Sequence, residues 1–282
     1  MEKQVLLGKT MSELKQLVSE LGLPGFTASQ LADWIYKKDA KDFSEMSNLS
    51  KKARELLSER CIIGDIAYSR VDESADGTKK YLFPSGKSNF IEAAYIPEEK
   101  RNTLCISSQA GCKMGCLFCM TGKQGFQANL SPGEIINQLR SLPEKDEVSN
   151  LVFMGMGEPF DNMDNLMKSL EIFSAPWGLE MSPRRITVST IGILPAISRF
   201  IDESDCHLAV SLHTPFEEER KKIMPIENVY PLPEIFALLK SYDFPRQRRI
   251  SFEYIMFKGF NDSKRHVNEL VRLMHGLKAR IN

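Results

Sequence analysis

The sequence predicts an α/β fold in which short apolar strands alternate with helices, preceded by a small helical module. Strand-like runs recur along the later part of the chain, at 103–108, 150–155, 185–190, 207–213, 250–257 and 279–282. Helical segments separate these runs at the spacing of βα units. The runs are short and apolar in character, as strands are when both faces of a parallel sheet are covered. We therefore expect a partial, TIM-like (β/α)6 barrel over 103–282, in which the sixth strand only begins.

Residues 1–62 are predicted to form a helical accessory domain that resembles a helix-hairpin-helix module. Capping-box patterns, in which Ser or Thr is followed three residues later by Glu or Gln, mark helix starts at Thr10–Glu13 and Thr27–Gln30. Amphipathic runs predict three helices, over about 10–22, 27–38 and 50–60. Because these helices precede the strand pattern, we treat them as a separate domain.

Residues 63–102 have the pattern of a small antiparallel ribbon between the helical module and the barrel. The turn dipeptides Asp76-Gly77 and Ser85-Gly86 separate β-prone runs. A third capping box, from Ser131 to Glu134 with Pro132 in the first turn, marks a helix of the barrel.

Composition limits the classes of function. The 37 Lys and Arg residues balance 37 Asp and Glu, so no global basic field indicates a nucleic-acid partner and any RNA site must be a local patch. No stretch of about 18 apolar residues predicts a membrane span, and the first residues do not have the pattern of a signal peptide. We expect a cytoplasmic protein. In that reducing compartment, six cysteines favour metal binding or catalysis over disulfides.

Three of the cysteines, Cys112, Cys116 and Cys119, form a C-x3-C-x2-C pattern in a Gly-containing loop after the first core strand. Three thiolates from one loop can bind three irons of a [4Fe-4S] cluster and leave the fourth iron open for another ligand. A structural zinc site is the alternative, but zinc requires a fourth ligand. None of the four histidines lies in the loop.

The loop and its neighbours resemble the RlmN and Cfr family of radical S-adenosylmethionine (SAM) methyltransferases, which modify an adenine of 23S ribosomal RNA. The resemblance is carried by TLCISSQAGCKMGCLFCMTGKQGFQANLSPGEI around the cysteines, and by VFMGMGEP, RRITVSTIG, LAVSLHTP and RRISFEYIM further along. It runs from the helical module to residue 282. It implies a radical SAM barrel with a [4Fe-4S] cluster and SAM as cofactors.

The resemblance also implies roles for individual residues. Cys112, Cys116 and Cys119 would bind the cluster. SAM would be contacted by residues that follow strands on one rim of the barrel: Gly157, Glu158, Ser189, Ser211, Leu212 and His213. Cys105 matches a catalytic cysteine, and Glu92 matches a glutamate that transfers protons. Cys61 and Cys206 match no catalytic position.

Such an enzyme is needed because C2 and C8 of adenine are electron-poor carbons that cannot attack the sulfonium of SAM. In the family, one SAM methylates a C-terminal cysteine and a second supplies the radical that activates this methyl group. Cys105 would then release the product, by forming a disulfide with the carrier cysteine. No cysteine follows Cys206. We therefore expect the carrier to lie beyond residue 282, and the given chain to be a fragment unable to complete methyl transfer.

The expected partners are 23S rRNA, tRNA and an electron donor such as flavodoxin or ferredoxin, with the protein itself a monomer. Basic clusters that could contact RNA phosphates occur at Lys37-Lys38, Lys51-Lys52 with Arg54, Arg184-Arg185 and 246–249. Shared motifs leave C2 methylation, of the RlmN type, and C8 methylation, of the Cfr type, both open; we favour C2. A non-catalytic RNA-binding protein with a structural metal site is the alternative of another class.

Overall fold

The computed structural model of the protein describes residues 3–86, 88–244 and 248–282. Its strands are β1 (Gln4–Val5), β2 (Cys61–Ile62), β3 (Arg70–Glu73), β4 (Lys79–Ser85), β5 (Asn89–Glu98), β6 (Arg101–Cys105), β7 (Gln109–Ala110), β8 (Ala128–Asn129), β9 (Asn150–Phe153), β10 (Ile186–Thr190), β11 (His207–Ser211), β12 (Ile250–Glu253) and β13 (Ala279–Ile281). Its α-helices are α1 (Met11–Glu20), α2 (Thr27–Ala32), α3 (Lys51–Arg60), α4 (Met120–Gln124), α5 (Pro132–Arg140), α6 (Met163–Ser174), α7 (Leu194–Glu203), α8 (Glu217–Ile223), α9 (Leu232–Ser241) and α10 (Lys264–Met274).

The chain divides into two compact units. The first comprises Met1–Ile106, Leu130–Ser149 and Asp164–Ser182, and the second comprises Ser107–Asn129, Asn150–Met163 and Pro183–Asn282. The first unit therefore contains the helical module and the ribbon together with α5 and nearly all of α6. The second contains the cysteine loop and the strands that follow it.

Two of the three predicted capping boxes form. The Thr10 side chain accepts a hydrogen bond from the Glu13 N–H while the Glu13 carboxylate accepts one from the Thr10 N–H, and Ser131 and Glu134 do the same at the start of α5. Each box satisfies backbone donors that a helix start otherwise leaves unpaired. These sequence patterns therefore fix the starts of α1 and α5.

The capping box predicted at Thr27 does not form. Phe26 already has helical dihedral angles and its side chain makes no capping hydrogen bond. The Thr27 N–H donates to the Pro24 carbonyl, so a turn over Pro24–Thr27 begins the helix and leaves Thr27 inside its first turn. α2 then continues as a π-helical turn over Asp33–Lys37 instead of a regular helix to residue 38.

The ribbon of the first unit is a four-stranded antiparallel sheet in the order β3-β4-β5-β6. Its turns lie at the predicted glycines: Gly77 has φ +83° and Gly86 has φ +58°, values that favour glycine. The apolar run predicted at 103–108 corresponds to β6, which pairs with β5 in antiparallel register, Cys105 opposite Ala94.

A buried arginine joins several segments of the first unit. Arg140, at the end of α5, has a side chain that is only 4% exposed. Its guanidinium donates to the Asp65 carboxylate at 2.5 Å, to the Ala40 carbonyl at 2.5 Å and to the Ile35 carbonyl. Asp39 forms a further ion pair with it at 3.0 Å. Because these groups come from three parts of the sequence, Arg140 fixes the helical module against α5.

The second unit contains five parallel strands in the order β9-β10-β11-β12-β13. Most of their residues are buried, including Val188, Leu208 and Phe252. α7 follows β10, α8 and α9 follow β11, and α10 follows β12. This strand and helix alternation confirms the α/β class and brings the carboxyl ends of the strands to one edge. No helix in the described part of the chain combines the length and apolar composition that crossing a membrane requires.

We expect the substitution Arg140→Met to lower the free energy of unfolding by about 3 kcal/mol or more, because it leaves two buried carbonyl groups and two half-buried carboxylates without their donor. Urea denaturation followed by circular dichroism measures the change. The control is Arg101→Ala, which removes an exposed partner of Glu98 and should cost less than about 1 kcal/mol. Equal losses in the two variants would contradict the structural role of Arg140.

Candidate functional site

The three cysteines of the C-x3-C-x2-C pattern lie in one loop, residues 111–127, which β7 and β8 close at its base. The Cys112 N–H donates to the Gly125 carbonyl at 3.1 Å and the Gln127 N–H to the Ala110 carbonyl at 2.9 Å. Gly111 has φ +71°, and a Cβ atom there would lie 1.8 Å from the Gly125 carbonyl oxygen. Only glycine allows this close approach of the two ends of the loop.

Burial alters the chemistry of the thiols. Cys112 is buried, and Cys116 and Cys119 are half-buried. Desolvation raises the pKa of Cys112, and it raises that of Cys116 to about 12 with a further increase from the charges of Cys119 and Cys112. A cationic metal centre would reverse this balance and hold the three sulfurs as thiolates.

The donor set fits an iron–sulfur cluster. Cys112, Cys116 and Cys119 supply three thiols from one loop, and all three line one cavity. In a [4Fe-4S] cluster each cysteine binds a different iron, so three thiols suffice and the fourth iron stays open to another ligand.

The cysteines line a cavity of about 400 Å³, a volume within the usual range of sites for small molecules. The sequence-predicted residues among its walls are Cys112, Cys116, Cys119, Gly157, Glu158, Ser189, Ser211 and His213. The structure therefore brings the cysteine loop and the strand-end residues to a single cavity within the second unit.

Gly157 follows β9 where the backbone passes over Gln109. Its φ is +98°, and a Cβ atom would lie 2.5 Å from the Gln109 Cβ and 2.7 Å from the Gln109 nitrogen. The fully buried Gln109 side chain accepts from the Glu158 N–H at 2.9 Å and donates to Asn129 and Asp161, both at 2.8 Å. Gln109 thus joins the turn after β9 to the base of the cysteine loop.

Glu158 is a buried carboxyl group in the cavity wall. It accepts hydrogen bonds from the Thr190 hydroxyl at 2.7 Å and from the backbone N–H groups of Ile191 at 2.8 Å and Phe160 at 3.1 Å. Desolvation nevertheless raises its pKa to about 7, while these hydrogen bonds act in the opposite direction. A cationic ligand nearby would therefore stabilise the ionised form of this carboxyl group.

A second carboxyl group, that of the half-buried Glu253, links the two serines predicted in the site. The Ser189 hydroxyl donates to its Oε2 at 2.8 Å and the Ser211 hydroxyl to the same oxygen at 3.4 Å. Burial raises the pKa of Glu253 and the two serines oppose this rise. Two carboxyl groups, on β12 and after β9, thus line one cavity.

His213 lies at the cavity in a left-handed conformation, with φ +59°. Its Nδ1 accepts from the Ile255 N–H at 3.2 Å, and the Phe118 ring of the cysteine loop contacts the imidazole edge-on at 4.9 Å. Burial lowers the pKa of His213 to about 4, so the ring is neutral at physiological pH. Leu212 is fully buried, and its N–H donates to the Glu253 carbonyl at 3.0 Å.

The two remaining predicted residues, Glu92 and Cys105, lie on the ribbon of the first unit. Cys105 is opposite Ala94 across β5 and β6, and Glu92 is two residues before Ala94. Side chains alternate along a strand, so both residues are on one face at the diagonal spacing of about 7–8 Å. Lys80 forms an ion pair with Glu92 at 3.1 Å.

Sequence reasoning missed three polar residues that organise the second unit: Gln109 and Arg220, which are fully buried, and Glu253, which is half-buried. Glu253 ends the strand in RRISFEYIM, a segment already recognised as part of the pattern, so its position at a strand end was an available signal. Gln109 and Arg220 gave no comparable signal, because their roles depend on contacts with residues distant in sequence.

Two family models match the chain. The model of the radical SAM superfamily matches residues 106–272, and that of the ribosomal RNA large subunit methyltransferase N-terminal domain matches residues 5–63. Probable dual-specificity RNA methyltransferases RlmN of Parabacteroides distasonis and Bacteroides thetaiotaomicron are 54% and 53% identical to the chain, over 100% of it and 82% of their own length.

A more distant relative and a solved structure support the same family. The dual-specificity RNA methyltransferase RlmN of Geotalea uraniireducens is 42% identical over 100% of the chain and 82% of its own length. The crystal structure of a radical SAM methyltransferase from Sphaerobacter thermophilus superimposes with a TM-score of 0.91 at 35% identity, covering 99% of this chain and 84% of that one. The radical SAM fold is thereby confirmed.

The buried Glu158 carboxyl group predicts a pH-dependent stability. Its pKa rises from 4.5 to about 7 on folding, so the folded state keeps a proton that the unfolded state loses. This group's contribution is present below pH 4.5 and is lost as the pH rises to 7, by about 3 kcal/mol in total. We expect Glu158→Gln to remove this part of the pH dependence in cofactor-free protein, measured by urea unfolding at pH 5 and pH 8. An unchanged pH dependence would contradict the raised pKa.

Proposed function

Because the chain belongs to the RlmN family of radical SAM RNA methyltransferases, which use a [4Fe-4S] cluster and SAM, we propose that it methylates C2 of an adenine in the peptidyl-transferase centre of 23S rRNA. We propose that tRNA is a second substrate. The observation that carries the proposal is the single cavity shared by the three cysteines and the strand-end residues. The printed names of the relatives, dual-specificity RNA methyltransferases, support an RNA substrate.

Within this proposal, Cys112, Cys116 and Cys119 hold the cluster, and the strand-end residues bind SAM. When bound, these cofactors supply a 5′-deoxyadenosyl radical after transfer of one electron. The SAM-binding residues are Gly157, Glu158, Ser189, Ser211, Leu212 and His213. Glu158 suits the SAM ammonium group, since a buried carboxyl group that already accepts three hydrogen bonds is stabilised as a carboxylate by a nearby cation.

The ribbon of the first unit supplies the other proposed catalytic groups. We assign proton transfer from the adenine to Glu92, and release of the product from the methyl-carrying cysteine to Cys105. Their location on one face of the β5–β6 pair supports a joint role. The identity of the cysteine that carries the methyl group stays a prediction, since we assign this role to none of the six cysteines of the chain.

We propose that the chain has three parts: an RNA-binding accessory domain over 1–62, a ribbon over 63–102 and the radical SAM core over 103–282. The family match over residues 5–63 supports the first boundary. An external flavodoxin or ferredoxin would supply the electron, and the protein would work as a cytoplasmic monomer.

The first test is cluster assembly and product analysis. We expect anaerobically reconstituted protein to turn brown, and to release 5′-deoxyadenosine from SAM on reduction. Cys116→Ala should abolish both, because two thiolates cannot hold the cubane. Cys206→Ala is the control: this cysteine is buried at the start of β11, outside the loop, and its replacement should leave the colour unchanged. A colourless zinc protein would contradict the proposal.

The position of methylation is tested by mass spectrometry of nucleosides. In a strain lacking its own enzyme, expression of the protein should give 2-methyladenosine in 23S rRNA and tRNA. Detection of 8-methyladenosine would instead establish the Cfr-type alternative. A methylated cysteine in digested protein would identify the carrier.

RNA binding by the helical module is tested by charge reversal at the start of α3. Lys51 is strongly exposed and forms a long ion pair, 3.9 Å, with Glu55. We leave Arg54 unchanged, because its guanidinium donates to the Ser44 carbonyl at 2.8 Å. The double variant Lys51→Glu, Lys52→Glu should weaken RNA binding and reduce the salt dependence by about one to two ions released.

A control for that double variant is Lys100→Glu, in the exposed turn between β5 and β6. It changes the charge in the same direction, by half as much, and should leave the salt dependence of RNA binding as in the unmodified protein. Equal weakening per reversed charge in the two variants would indicate a general charge effect and contradict a specific role for α3.

A further inference from the structure

A fully buried ion pair occupies the segment that follows β11. The Arg220 guanidinium, on α8, donates through Nη1 to the Glu227 carboxylate, and both side chains are 0% exposed. The other oxygen of Glu227 accepts from the Leu232 N–H at 2.9 Å. Taking two charges out of water is costly, and apolar residues of similar size are often equally stable in such places. Stability alone therefore gives little reason for an ion pair here.

Arg220 also binds the ends of two neighbouring strands. Its Nη2 donates to the Ile191 carbonyl at 2.8 Å and to the Ser211 carbonyl at 2.9 Å. Both residues line the cavity. A planar guanidinium holds two such acceptors in fixed directions, which a lysine ammonium does not. The arginine thus sets the separation of β10 and β11 where they reach the site.

The same segment contacts the cysteine loop. The Leu117 N–H, one residue after Cys116, donates to the Ile223 carbonyl at the end of α8, at 3.0 Å. Met224, the next residue, lines the cavity. On the other side of Cys116, a Cβ atom at Gly115 would lie 3.9 Å from the Cγ of Pro225, the residue after Met224. The segment that carries Arg220 therefore packs against the loop on both sides of Cys116.

We propose that Arg220 is a positioning residue that holds the ends of β10 and β11 and places a buried positive charge near Cys116, raising the reduction potential of the cluster. The inference rests on the assignment of the cluster to the three cysteines. Reduction adds one negative charge to the cluster, and a buried cation stabilises the more negative state because the interior screens charge weakly. Glu227 acts in the opposite direction and moderates the effect.

The test is a redox titration of the reconstituted protein, monitored by electron paramagnetic resonance. Glu227→Gln keeps an oxygen for the Leu232 N–H but removes the negative charge, so it should raise the potential. The double variant Arg220→Met, Glu227→Gln removes both charges and should have a lower potential than Glu227→Gln alone. Arg220→Met by itself should lie below the unmodified protein.

The set of variants distinguishes a failure of the inference from a variant that does not fold and from a failure of the proposed function. Arg220→Met leaves Glu227 buried without its partner; if this variant does not fold, the comparison of Glu227→Gln with the double variant still measures the charge of Arg220. Equal potentials for those two variants, or shifts of the same sign in Glu227→Gln and Arg220→Met, would overturn the inference. Absence of any cluster in the unmodified protein would instead overturn the proposed function.

The substitution Arg220→Lys tests the positive charge of residue 220 separately from its hydrogen-bond geometry. Arg220→Lys keeps the positive charge but loses the planar contact with the two carbonyls. We expect its cluster potential to stay close to that of the unmodified protein while its affinity for SAM falls several-fold, measured by isothermal titration. An unchanged affinity would contradict the part of the inference that concerns the ends of β10 and β11.

Discussion

The candidate site depends on one close contact, the passage of the backbone at Gly157 over Gln109. The contact leaves no space for a side chain at residue 157, and the Gln109 carboxamide then bonds to the Glu158 N–H, to Asn129 at the base of the cysteine loop and to Asp161. A buried carboxamide must satisfy its donors and its acceptor, and here the partners come from two segments, the turn after β9 and the base of the cysteine loop. The position of the loop relative to the turn after β9 is therefore determined by hydrogen-bonding requirements as well as by packing.

The charges around the cavity follow a consistent pattern. The buried Glu158 and the half-buried Glu253 bring two carboxyl groups with raised pKa values to its walls, and the buried cation Arg220 is already paired with Glu227. The cavity therefore suits a ligand that carries positive charge, as SAM does in its sulfonium and ammonium groups. The neutral His213 adds no competing cation. The electrostatics thus agree with the family to which the chain belongs.

Much of this could be predicted from the sequence. The strand and helix alternation, the hairpin glycines and the capping boxes of α1 and α5 follow from local rules, and the cysteine spacing indicated the cluster. The capping box at Thr27 failed because the preceding turn over Pro24–Thr27 had already begun the helix. Gln109, Arg220 and Glu253 were not found, since each acts through residues far away in sequence and no local pattern encodes such a contact. The sequence thus predicted the features that depend on neighbouring residues, and it did not predict the polar network that connects distant ones.

The closed base of the cysteine loop has a consequence for how a cofactor would be acquired. Bringing three thiols together in a flexible chain loses conformational entropy, and that loss opposes binding when it occurs at the moment of association. Here the short β7–β8 ladder, the backbone bonds across Gly125 and Ala110 and the glycine at residue 111 restrict the loop during folding. The ordering is thus completed before any iron arrives, and assembly of the cluster can proceed on a prearranged surface of the folded polypeptide.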